Sequence, residues 1–132
     1  MKQSLWYAGG KQCLWSGVDL ATAKIRCALM TEAYKPSAKH KFYRDLTGEC
    51  RGDGYTPGGP LLTGQRLETR DGDCRFHAAD IVIPECSIEA DGVALYHDAS
   101  GTLIAYIAAR KPDHGRNMDF AVEWHGEPIL TY

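Results

Sequence analysis

Five cysteines, at 13, 27, 50, 74 and 86, and five histidines, at 40, 77, 97, 114 and 125, are the residues of this 132-residue chain best equipped for chemistry. Structural zinc is normally held by close ligand pairs, and the sequence contains neither C-x-x-C nor H-x-x-x-H. A metal site would have to be assembled from distant positions, so neither a metal nor another cofactor is expected. Nucleophilic hydrolysis lacks its usual signature as well: there is no G-x-S-x-G, and Ser16, Ser87 and Ser100 sit in turn contexts. A cysteine nucleophile served by a remote histidine stays open, because such pairs meet in space and not in sequence.

The stretch GECRGDGYTPGGPLL, residues 48–62, places five glycines and two prolines around Tyr55. Bare backbone N–H groups in such loops can cradle phosphate, but that use requires a helix opening directly behind the glycines. Here Pro60, Leu61 and Leu62 lead into a strand-like run. The expected role is therefore a framework turn in which Gly52, Gly54, Gly58 and Gly59 supply unusual backbone angles while Pro57 stiffens the path. Arg51-Gly52-Asp53 spells a tripeptide read by some cell-surface receptors, yet its residues are ordinary loop residues.

These groups must be positioned by strands. Period-two alternation is clearest at Met118, Phe120, Val122 and Trp124, and again in KIRCALMT, where Ile25, Cys27 and Leu29 share one face. VALYHD at 93–98 and TLIAYIAA at 102–109 flank a short turn and predict a hairpin. LLTGQRLETR and DCRFHAADIVI meet at Asp71-Gly72, which predicts a second, with Cys74 on the face of Phe76. Arg26 and Glu123 are expected on solvated faces. Helix is confined to a short stretch at 41–46 and a turn near 18–24 that Asp19 could cap. The expected fold class is mainly β, a single antiparallel β-sandwich over 16–132 preceded by an N-terminal arm over 1–15.

Composition narrows the partners. Lys and Arg total 15 against 17 Asp and Glu, a formal charge of -2, which gives no positive field for nucleic acid. No apolar run approaches the roughly 18 residues of a membrane span, and no secretory h-region is evident, so a soluble protein made in the cytoplasm is expected. An odd number of cysteines leaves at least one outside any internal pairing. Trp6, Tyr7 and Trp15 form an aromatic cluster near the N-terminus that either anchors an interface or folds back to fill one end of the sandwich.

From about residue 15 onward the chain resembles a family of small structural proteins of tailed bacteriophage particles. Members carry a strand of the kind kvaLlts, a gE..GtGYt.GG..L loop, and avlY.d, lia.id and f.i.w…Gil.l segments. The matching pieces are Ala28 to Thr31, Gly48-Glu49, Gly52 to Gly59 with Leu62, Ala94 to Tyr96, Leu103 to Ile107, and Phe120 through Leu130. The cysteines and the aromatic N-terminus depart from that pattern.

The resemblance implies a non-enzymatic virion component, a capsid-decorating or linking protein, that contacts the major capsid protein or neck and tail subunits and other copies of itself. The alternative is a neck, collar or tail accessory protein, including a receptor- or glycan-binding module. Thiols kept reduced during assembly could bridge after lysis wherever neighbouring chains hold them close enough. Cys13, Cys50 and Cys86, outside the clear strand pattern, are the expected inter-chain disulfide residues. Cys27 and Cys74 are expected as core or internally paired thiols, and all five remaining inert is the competing expectation.

Overall fold

A computed structural model describes the backbone of residues 3–15, 17–124 and 128–131, and the side chains of these residues other than 3–4, 13–15, 86–87 and 109–119. The elements are β1 (Gln3–Trp6), α1 (Ala8–Trp15), β2 (Ile25–Met30), a 3-10 turn (Tyr43–Asp45), β3 (Arg66–Arg70), β4 (Asp73–His77), β5 (Ile81–His97), β6 (Leu103–Val122) and β7 (Leu130–Thr131). The fold is mainly β. Two antiparallel sheets, in the orders β1-β6-β5-β2 and β3-β4-β7, contain all seven of these strands.

β5 and β6 form one long hairpin, in register from Tyr96 opposite Leu103 to Ile81 opposite Val122. Strands of 17 and 20 residues cannot run flat, and the ladder is interrupted at four places. Glu85, with φ of 49°, sits in the interruption between Ile83 and Cys86. Cys86 therefore belongs to a strand, opposite Met118, and not to a loop after Pro84. The second hairpin turns at Asp71-Gly72, where both residues take positive φ (51° and 83°), as a two-residue turn of this kind demands.

The two sheets share one core. Phe76 and Leu130 from the smaller sheet join Ile25, Cys27, Leu29, Val93, Leu95 and Ile107 from the larger in a single apolar cluster. Alternation then sends Ala28, Met30, Ala94, Tyr96, Leu103 and Tyr106 to the opposite face of the large sheet, where Tyr7 and Tyr34 close over them. The larger sheet is thus buried on both faces, which is why β2 reads as an apolar run with little polar alternation.

The N-terminal residues are part of this construction and not an arm. β1 pairs with β6 from Gln3 opposite Ala108 to Trp6 opposite Ala105, and Tyr7 is completely buried. Tyr7 is therefore a core residue, the second of the two expected roles for the N-terminal aromatics, and not an interface residue. Trp6 is half-buried against the main core. The side chain of Trp15 lies outside the described residues.

α1 was not expected, because Gly9 and Gly10 have poor helix propensity. Packing overrides propensity here: a Cβ on Gly10 would lie 2.3 Å from the Ile104 carbonyl oxygen, so only glycine lets the helix sit this close to β6. The turn near residue 19 does form, with the Asp19 carboxylate accepting from Ala21 N–H at 2.9 Å.

Candidate functional site

The glycine-rich loop is organised by Glu49, a residue six positions from a tyrosine on each side. Its carboxylate accepts hydrogen bonds from Tyr43 Oη, from Tyr55 Oη at 2.5 Å and from Gly58 N–H at 2.8 Å. Tyr55 Oη in turn accepts from Leu29 N–H at 3.0 Å, which ties the loop to β2. Tyr96 Oη donates to Gly58 C=O at 2.6 Å, and the rings of Tyr43 and Tyr96 stack at 4.8 Å. Bonds to a charged acceptor contribute about 1.5–3 kcal/mol each, so this is a strongly held turn.

Burial, reinforced by the bond to Glu49, raises the hydroxyl pKa values of Tyr43 and Tyr55 well above the usual tyrosine range. Both therefore remain donors at neutral pH. The sequence singled out Tyr55, which indeed lies buried beneath the loop. It gave Glu49 no role beyond a place in the motif; the signal for more was a carboxylate embedded among tyrosines and glycines that all need an acceptor or a turn.

The same loop completes the edge of β2. Thr31 N–H donates to Gly48 C=O, Cys50 N–H to Leu29 C=O, Cys27 N–H to Pro60 C=O and Leu62 N–H to Ile25 C=O, at 2.8–2.9 Å. Gly59 is the closest approach: with φ of 78°, a Cβ there would lie 2.0 Å from the Cys27 carbonyl oxygen. Gly54 and Gly58 also take positive φ, and Pro57 precedes the pair of glycines. Gly52 departs from its expectation: it does not take positive φ, and it sits exposed at the tip where its carbonyl accepts from Tyr55 N–H. Glu49, Gly54, Tyr55, Gly58 and Gly59 are thus all occupied in holding the turn.

Arg26 departs from its expectation as a solvated side chain. It reaches Asp98 at 2.5 Å and donates to Gly59 C=O at 2.9 Å, clamping the loop against β2 and the β5–β6 turn. The hydrogen bond to Asp98 raises the guanidinium pKa further. Glu123 is exposed at the end of β6.

The cysteines divide differently from their expected grouping. Cys27 is a core thiol, 0% exposed, and burial pushes its pKa far up, so it is unreactive at neutral pH. Cys50 is also buried, at 2%, and its Sγ donates to the Glu89 carbonyl. It packs into the main apolar cluster, which removes it from the surface thiols available to a neighbour. Cys74 is half-exposed on the β3–β4 hairpin, opposite Thr69, in place of the core position expected from its neighbour Phe76. The side chains of Cys13 and Cys86 lie outside the described residues, and no disulfide forms among the described ones.

The three histidines whose side chains are described, His40, His77 and His97, are equally dispersed, and the side chains of His114 and His125 lie outside the described residues. His40 Nδ1 lies 2.8 Å from Tyr34 Oη, which bonds Tyr7 Oη at 2.6 Å, and His97 bonds Ser100. His77 is nearly buried, with Nε2 3.7 Å from Glu68 Oε1, beyond hydrogen-bond reach. Cys74 and His77 are three apart on β4, and an odd separation on a strand points them to opposite faces. Among the described residues no three His, Cys, Asp or Glu side chains gather as a metal site would need. No family model, no curated protein and no solved structure matches the chain.

Proposed function

We propose that this chain is a structural component of a tailed-phage particle, a decorating or linking protein that works by contact and not by turnover. The observation that supports the reading is the Glu49-centred loop. The residues that carry the family resemblance, Glu49, Gly54, Tyr55, Gly58 and Gly59, are committed to hydrogen bonds or backbone turns that brace a sheet edge. A loop so engaged presents a rigid surface to neighbouring subunits.

Cross-linking between chains, the second part of the proposal, falls to surface thiols. Burial takes Cys50 out of that group and the partial exposure of Cys74 adds it, while Cys13 and Cys86, whose side chains lie outside the described residues, keep their place from the sequence. Particles purified from an infected culture, probed with an antibody to this chain, test both parts. The chain should be present in finished particles, and non-reducing electrophoresis should show it in high-mass species that collapse on reduction. A band at monomer mass under both conditions removes the cross-links alone. Absence from finished particles removes the structural role. Hundreds of copies per particle favour the capsid, and a few to a few dozen favour the neck or tail.

A further inference from the structure

An open cleft of about 800 Å³ lies on the side of the larger sheet away from the main core, bounded by Leu5 of β1, Glu32, Tyr34, Lys35 and Pro36 of the segment after β2, Asp91 of β5, and Tyr106 and Ala108 of β6. Four segments build it, two of them strands of the long hairpin. Its floor is the edge-on pair of Tyr34 and Tyr106, with ring centroids 5.5 Å apart.

The two tyrosines differ in one respect. Tyr34 Oη is engaged on both sides, by Tyr7 and His40. Tyr106 is only 6% exposed, yet its hydroxyl has no hydrogen-bond partner among the described residues, and it is not one of the sealed unpaired atoms, of which His77 Nε2 is the sole described case. A hydroxyl of this kind is left for whatever enters the cleft. Gly92 is what admits it: φ there is ordinary, but a Cβ would stand 2.3 Å from Tyr106 Oη and 2.6 Å from the adjoining ring carbon. The Ile107 carbonyl oxygen would stand 2.8 Å from the same Cβ, so the glycine is required by the close approach of β6 as well as by the hydroxyl, and not by any turn.

The charges around that hydroxyl select the ligand. Asp91 and Glu32 offer carboxylate acceptors, whereas Lys35 offers an ammonium donor. An anion would meet two like charges, and a cation, though drawn by the two carboxylates, would be opposed by Lys35. A neutral ligand whose groups both donate and accept satisfies all four polar residues at once. Leu5, Pro36 and Ala108 supply apolar wall for its C–H surface. We propose that this cleft binds a neutral saccharide, with Tyr106 Oη and the Asp91 carboxylate as its principal polar contacts. This site stands apart from the virion reading, and either can fail without the other.

Titration of the isotope-labelled full chain with glucose, maltotriose and triacetylchitotriose to millimolar concentration, followed by amide NMR, tests it. Saturable shifts at Leu5, Lys35, Asp91 and Ala108 are expected with at least one of these sugars. Tyr106→Phe keeps the ring and deletes only the hydroxyl, and with Asp91→Asn it should weaken binding roughly three- to tenfold each while the spectrum stays folded. Tighter binding of a trisaccharide than of glucose points to a polysaccharide chain, and equal binding to a free sugar. The proposal is overturned by failure of all three sugars to saturate, by saturation with spermidine or a sialylated sugar alone, or by binding that both variants leave unchanged.

Discussion

Gly59 and Gly101 both hold positive φ, at 78° and 74°, but they differ in what surrounds them. A Cβ at Gly101 meets nothing within 4 Å, whereas at Gly59 it would fall 2.0 Å from Cys27 C=O. Gly101→Ala should therefore cost about 1 kcal/mol, the strain of a left-handed alanine alone. Gly59→Ala should cost about 3 kcal/mol or more, because the loop must leave the edge of β2 or β2 must move. Urea midpoints of the two variants separate these cases, and similar midpoints would mean that the loop is not held against β2. At this scale the sequence showed that the glycines turn the chain. It did not show which glycine is irreplaceable, because a close approach between residues 27 and 59 exists only once the fold has formed.

Among the elements, β1 is where sequence and structure part most sharply. Gln3–Trp6 is too short to show a convincing alternation, and its pairing with β6 joins residues about a hundred positions apart, which no local pattern records. The buried Tyr7 that follows it gives the measurable consequence. Tyr7→Ala should lower stability by about 3–5 kcal/mol and Tyr7→Phe by about 1 kcal/mol, the latter through loss of the 2.6 Å bond to Tyr34 alone. An unfolding midpoint unmoved by Tyr7→Ala would return the N-terminal segment to the status of an arm. The two hairpins, by contrast, were legible because their turns carry local chemistry. Asp71-Gly72 tolerates positive φ, and Gly101 closes the β5–β6 turn by donating to His97 C=O. The merging of short predicted runs into the single long strands β5 and β6 was not legible, since Pro84 and the register breaks interrupt the alternation.

For the whole molecule, tyrosine burial sets an upper pH limit. All six described tyrosines, 7, 34, 43, 55, 96 and 106, have pKa values raised above the ordinary 10, with burial the leading cause in each. Tyr96 and Tyr106 are pushed up to about 12. A raised folded-state pKa means that the unfolded chain ionises first. The stabilisation is therefore complete below pH 10 and is lost as the pH climbs from 10 through about 12. Tyrosinate absorbance should stay low past pH 10 and then rise together with loss of circular dichroism. A smooth titration centred on 10, with the fold intact, would contradict the burial described.

The loop that completes β2 has a bearing on assembly as well as on stability. With the outer edge of β2 occupied by its own chain at Ile25, Cys27, Leu29 and Thr31, a strand donated by a neighbour could not pair along β2 without displacing the loop. The loop therefore protects the β2 edge against strand addition, a device that sheet proteins use to avoid edge-to-edge aggregation.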